Sequence, residues 1–115
     1  MATALTASLE GTQKRPITRL TWANLAQGET GQRARVDGAD LTVTVTGTFG
    51  GATVTLLGTN VAGGTGIAVK DIGGAAAISL TAAGSAVAYE VYAEIWPVVT
   101  GGGGTTDLTV TLLAR

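Results

Sequence analysis

Two stretches of the chain alternate threonine with an aliphatic residue, and this period of two constrains the fold more than any other feature. Residues 40–46 read DLTVTVT, and residues 107–112 read DLTVTL. Successive side chains of a β-strand point to opposite faces, so one face of each stretch carries Leu and Val and the other carries Thr. We therefore expect both stretches to be strands of a sheet that has one buried and one polar surface.

Glycine-rich turns divide the rest of the chain into further short strands. In residues 53–57 we expect Val54 and Leu56 to face the core. Residues 22–26 allow a short helix, but strand followed by turn is the preferred interpretation. The remaining expected strands are a long one at 86–99 and short ones at 67–72 and 76–81.

The turns fall about ten residues apart, which is typical of antiparallel sandwiches and barrels. Parallel βαβ units would need amphipathic helices between the strands, and no such pattern is visible. The sequence therefore predicts an all-β protein with a single antiparallel β-sandwich or jelly-roll-like domain over residues 16–115. Residues 1–15 are predicted to form a flexible, extended N-terminal arm that can become a strand when it docks.

The chain has no histidine and no cysteine. Catalytic triads, thiolate nucleophiles, disulfides and His-ligated metals are therefore excluded. Glu90 and Glu94 would lie on one face of a strand, roughly 13 Å apart at about 3.3 Å per residue, which is wider than the carboxylate pairs of glycosidases. Asp37 and Asp40 fit a turn better than a calcium loop. We expect no enzymatic activity, no metal and no cofactor.

Charge is unevenly distributed along the chain. Residues 1–35 carry five basic and two acidic side chains, whereas residues 36–115 carry two basic and six acidic ones. This asymmetry favours contacts with a protein partner through charge complementarity. It does not favour nucleic acid, because the basic cluster is small and the body is acidic. The basic candidates for partner contact are Lys14, Arg15 and Arg19 near the arm and Arg33 and Arg35 in the following loop.

Three aromatic residues, Trp22, Tyr92 and Trp96, are further candidates for a partner interface, since Tyr and Trp bury a large area at little entropic cost. Trp96 also fits a second interpretation, in which it closes one end of the core. A sugar-binding platform would need several coplanar exposed rings. No apolar stretch approaches the roughly 20 residues of a membrane span, and the first residues do not resemble a secretory signal.

Only 13% of the residues are charged, about half the usual share. Uncharged strands of Thr, Ala and Gly are poorly suited to the surface of a free monomer. They are better suited to surfaces that another protein or another copy covers. The composition therefore indicates a protein that works in an assembly.

The segments ITRLTWANLAQGETG, VTVTGTFGGATVTLLGTN and WPVVTGGGGTTDLTVTLLAR resemble a group of small proteins of tailed bacteriophages, among them capsid decoration, or cement, proteins. The resemblance covers about residues 16–115. It implies a compact β domain, made in the host bacterial cytoplasm, that binds the outside of the capsid as a dimer or trimer and stabilises contacts between major capsid protein subunits. Two alternatives stay open: a tail or head-fibre base module, and a sugar- or receptor-binding β domain.

Overall fold

The structure, a computed structural model, describes residues 2–3, 5–10, 17–35, 40–72, 76–88 and 92–114, with side chains from residue 19 onward. In these residues the backbone forms strands and turns and no helix, so no described helix is long and apolar enough to cross a membrane. The strands are β1 (Ala2–Thr3), β2 (Leu5–Glu10), β3 (Ile17–Leu25), β4 (Thr30–Gly31), β5 (Ala34–Arg35), β6 (Leu41–Thr48), β7 (Ala52–Thr59), β8 (Ile67–Ala68), β9 (Ser79–Leu80), β10 (Gly84–Val87), β11 (Glu94–Gly101) and β12 (Asp107–Ala114).

The strands form two sheets that pack face to face. Sheet I has the order β1-β4-β11-β7-β8, with β5 also pairing with β11 and β9 with β7, and sheet II has the order β10-β6-β12-β3-β2. Neighbouring strands are antiparallel except for the short parallel pair of β1 and β4. The predicted all-β fold with an antiparallel sandwich is confirmed, and its jelly-roll-like connectivity stays a prediction.

Sheet II forms as the alternation of Thr with Val and Leu predicts. Leu41, Val43 and Val45 of β6 are buried, and the Thr residues between them lie on the other face. Strand β12 lies between β6 and β3, and its register places Leu112 opposite Val43. The apolar side chains of neighbouring strands therefore form a continuous layer, which is the contribution of sheet II to the core.

Sheet I supplies the opposite layer of the core. Val54 and Leu56 of β7 are buried, as predicted, and they pair with Val99 and Pro97 of β11. Apart from Trp96, the buried apolar side chains of both sheets belong to one hydrophobic cluster. A single core therefore holds the two sheets together.

The prediction of one long strand over residues 86–99 is wrong. Strand β10 belongs to sheet II, β11 belongs to sheet I, and Tyr92 and Ala93 between them are not in a strand. A local pattern shows that a segment is extended, but it cannot show that its pairing partner changes from one sheet to the other. Glu90 and Asp37 lie outside the described residues, so the carboxylate spacings considered above stay untested.

Residues of the predicted arm pair with both sheets. Strand β2 runs antiparallel to β3 from Leu5 opposite Trp22 to Glu10 opposite Ile17, and β1 pairs with β4 in sheet I. The expected strand therefore forms along the edge of this chain's own sheet II. The domain boundary at residue 15 stays a prediction.

Strand β3 continues through the segment that also allowed a helix, so the preferred interpretation is confirmed. Its register with β12 shifts between Leu108 and Val110. Asn24 has a φ angle of 59° at this irregularity, a left-handed conformation that Asn tolerates better than most residues. The bulge lets β3 resume pairing while Leu20, Trp22 and Leu25 all stay buried.

Three large side chains lie directly against glycines. A Cβ atom on Gly58 would lie 2.6 Å from Cδ2 of Tyr92, one on Gly66 would lie 2.6 Å from Cζ2 of Trp96, and one on Gly31 would lie 2.7 Å from Cδ1 of Trp22. None of these three glycines has a positive φ. They are therefore required for space and not for an unusual backbone conformation.

Gly58→Ala is expected to lower the free energy of unfolding by about 1–3 kcal/mol, because the new methyl group must displace the buried Tyr92 ring. The measurement is urea denaturation followed by circular dichroism. Gly104→Ala is the control, since a Cβ there meets nothing within 4 Å, and it should change the value by less than about 0.5 kcal/mol. Equal midpoints for the two variants would contradict the steric argument.

Candidate functional site

The structure brings together two of the predicted partner-contact residues, Arg33 and Trp96, on the outer face of sheet I. The guanidinium carbon of Arg33 lies 3.9 Å from the centroid of the Trp96 ring, which is within the range of a cation–π interaction. Nη1 of Arg33 also lies 3.5 Å from Oε1 of Glu94. Trp96 pairs with Leu57 and Glu94 with Thr59 in the register of β11 with β7, which places all three groups on one surface.

The loop of residues 60–66 covers this surface. Oε1 of Glu94, which faces Arg33, also accepts a hydrogen bond from the Gly63 amide at 3.3 Å. The Asn60 side chain anchors the loop at its start by accepting a hydrogen bond from the Ala93 amide at 3.0 Å. Together with Arg33, the loop leaves only 4% of Trp96 exposed, although the ring does not belong to the main core.

Exposed apolar and cationic side chains surround the covered Trp96. Val61 is 68% exposed in the loop. Ile67 is also exposed, but it pairs with the inward-facing Gly58 and so lies on the other face of sheet I. Arg35 is exposed and pairs with Glu94 across β5 and β11. We name this surface, made of Arg33, Arg35, Glu94 and Val61, the arginine patch. It combines fixed guanidinium donors with exposed apolar area, a combination typical of protein-binding surfaces.

The outer face of sheet II has a different character. Its registers align outward-facing side chains into rows that cross four strands. The middle row is Ser85, Thr44, Thr111 and Thr21, a second row is Val87, Thr42, Leu113 and Arg19, and a third contains Thr46 and Thr109. We name these three rows the threonine face. Arg19 is the one charged residue in them.

Trp22 and Tyr92 are buried, so the structure does not place them on a partner-binding surface. Trp22 is 0% exposed within the core, and its indole N–H donates a hydrogen bond to the carbonyl oxygen of Gln32 at 2.8 Å. Tyr92 is 9% exposed and lies against Gly58. Together with the covered Trp96, these rings do not form the exposed aromatic platform that a sugar-binding surface needs.

The other basic candidates lie apart from the arginine patch or outside the described residues. Arg19 is exposed on β3, opposite Leu113 on sheet II. Lys14 and Arg15 lie outside the described residues. The interface predicted from sequence as one group of residues is therefore divided, with Arg33, Arg35 and Trp96 on one sheet and Arg19 on the other.

Val61 of the arginine patch was not identified from the sequence. The segment GTNVAGGTG was interpreted only as a turn. A single Val within a Gly-rich loop carries a weak signal, since an isolated apolar residue in a loop is common. Its importance follows from the hydrogen bonds that hold the loop against Glu94, which join residues more than 30 positions apart in the sequence.

The described residues offer little for binding a small ligand or a metal. They contain no group of three or more Asp, Glu, His or Cys side chains placed to hold a metal ion. A shallow hollow of about 240 Å³ is lined by Gln27, Gly28, Gly101 and Gly102. Gln27 supplies its one functional side chain, so the hollow lacks the converging polar groups of a typical ligand site.

Comparisons with known proteins give no family for this chain. No protein-family model matches it, and no curated protein and no solved structure matches it.

Arg33→Ala is expected to expose the Trp96 ring, with a red-shifted tryptophan emission spectrum and stronger quenching by acrylamide. The loss of the cation–π contact should lower the free energy of unfolding by about 0.5–2 kcal/mol. The same substitution in a Trp96→Phe background is the control, because only the core residue Trp22 then fluoresces. An equal shift in both backgrounds would show that Arg33 does not cover Trp96.

Proposed function

We propose that this chain is a virion structural protein of the decoration, or cement, type. In this role it binds the outer surface of a tailed-phage capsid and stabilises contacts between major capsid protein subunits. It is made in the host bacterial cytoplasm and acts on the virion as a homodimer or homotrimer. The proposal needs no enzymatic activity, cofactor, nucleic acid or membrane.

The arginine patch is the observation that carries this proposal. Arg33 is held in place by Trp96 and Glu94, so its remaining donors are positioned before a partner arrives. Such positioning lowers the conformational entropy that binding costs. The neighbouring Val61 side chain leaves most of its surface in water and gains free energy when a partner covers it.

A capsid lattice suits a surface of this limited size. The lattice repeats the same site many times, so an oligomer can use several arginine patches at once. A weak contact at each patch then gives a high overall affinity, provided that the spacing of the patches matches the lattice. The N-terminal segment with Lys14 and Arg15 supplies a second, charge-dependent contact with an acidic partner.

The experiment that tests the proposed function is the copy number of the protein in purified particles, measured by quantitative mass spectrometry against the major capsid protein. The expected result is a copy number in a simple ratio to that of the capsid protein, which means that the protein occupies a site repeated over the whole capsid lattice. A dozen copies or fewer would instead indicate a tail or vertex module. Absence from particles that are produced while the protein is expressed would overturn the proposal.

Arg35→Glu is expected to weaken binding to capsids that lack the protein by at least ~10-fold, because it reverses a charge in the arginine patch. Arg35 is exposed, so the unfolding midpoint should change little. Lys70→Glu is the matched control, since it makes the same charge change at an exposed position outside the patch. Occupancy is measured by co-sedimentation with capsids. Equal losses for both variants would exclude the arginine patch as the contact surface.

A further inference from the structure

We propose that the threonine face packs against the same face of a second copy of this chain. The two copies would be related by a two-fold axis. Sheet II of one copy would pack against sheet II of the other through their Thr side chains. The inference extends the oligomer included in the proposed function by assigning its interface. Self-association is measured in solution without capsids, whereas the capsid role is measured on particles. Each proposal can therefore fail without the other.

The charge of the threonine face favours a second copy as its partner. In a two-fold interface each surface meets another of the same composition, so a surface rich in one charge would repel itself. The three rows carry one charged side chain, Arg19, at β3, away from their centre. Asp107, opposite Thr48, lies on the same face beyond the third row. A chain selected to bind an acidic or basic partner through this face would gain from charges of one sign near the centre of the rows, and the middle row carries none.

One pair of hydroxyl groups in the middle row can be covered at a low cost in lost hydrogen bonds. Thr44 and Ser85, neighbours in the middle row, already share a hydrogen bond of 2.8 Å between their hydroxyl oxygens. A polar group that keeps a partner within its own surface does not lose hydrogen bonding when water leaves. The Thr methyl groups supply the apolar contact area of a packed sheet surface.

One end of the face is apolar and exposed. Val87 is 40% exposed, and Leu113 lies in the same row. Asp71 pairs with Ala88, the chain neighbour of Val87, at an isolated bridge, and Ile72, which follows Asp71, is 66% exposed. The apolar side chains at this end increase the free energy gained when a second copy covers the threonine face.

The size of the face predicts a weak dimer. Four strands spaced about 4.8 Å apart, over about seven residues at about 3.3 Å each, give an area of about 450 Å² per copy. Stable complexes commonly bury about 800 Å² per partner. The dimer should therefore dissociate on dilution, and this property makes the interface measurable.

The test is sedimentation equilibrium of the full chain over a concentration series from about 1 to about 500 µM, chosen for a weak interface. The expected result is a reversible monomer–dimer equilibrium. Thr111→Lys, at the centre of the middle row, should raise the dissociation constant at least ~10-fold, because like charges would then face each other. Thr53→Lys is the matched control, since Thr53 is a half-buried threonine on the outer face of sheet I and its substitution should leave the equilibrium unchanged.

A second measurement keeps the proposal testable if Thr111→Lys does not fold. The chain contains no cysteine, so a single Thr44→Cys substitution introduces a unique thiol on the threonine face. Its reaction with a maleimide should become slower as protein concentration rises and dimers form. A Thr53→Cys thiol on sheet I should react at the same rate at all concentrations.

A monomeric native chain across the whole series would overturn the inference. The same conclusion would follow from a dimer that Thr111→Lys leaves intact, or from a Thr44→Cys thiol whose reactivity does not depend on concentration. A dimer that forms through the threonine face while the protein is absent from particles would support the interface and overturn the capsid role.

Discussion

Burial of aliphatic side chains between the two sheets is the interaction on which the rest of the structure depends. The chain has few aromatic residues, and half of the buried core cluster consists of Val, Leu and Ile from alternating positions of β6, β7, β11 and β12. Since burial of apolar area is the main driving force for folding, these alternating positions decide which face of each strand points inward. They thereby also decide which residues remain outside for contact with other molecules.

The two outer faces follow from the same alternation but differ in what covers them. On sheet I, the loop of residues 60–66 and Arg33 cover Trp96, and Glu94 connects the loop with the arginine through one carboxylate oxygen. On sheet II, the described residues place Thr44 and Thr111 in an uncharged middle row, and Arg19 is the one charged residue of the three rows. A sandwich of this size has only two broad outer surfaces, so a charged patch on one and a neutral face on the other allow two kinds of contact at once. The capsid contact and the self-association proposed above use these surfaces separately.

Glycine contributes to this arrangement in two ways. At Gly31, Gly58 and Gly66 the absence of a side chain leaves room for a ring or a proline, so the few large residues of the chain find space among small ones. At the turn of Phe49–Gly51, positive φ angles reverse the chain between β6 and β7. The carbonyl oxygen of Phe49 there accepts a hydrogen bond from the Thr106 hydroxyl at 2.8 Å. Close packing and tight turns, more than large side chains, therefore give this small domain its shape.

The sequence by itself determined the sheet-forming segments and their buried faces, because alternation with a period of two is a local property of the chain. Leu41, Val43 and Val45 and the outward threonines beside them could be assigned in this way. Tertiary structure alone decided the change of sheet between β10 and β11, the burial of Trp22, and the meeting of Arg33 with Trp96 and Glu94. Each of these depends on which distant segment lies alongside, and a local pattern holds no information about that. The arginine patch could therefore be predicted only as separate residues, since its geometry comes from strand register and a loop hydrogen bond across more than 30 positions.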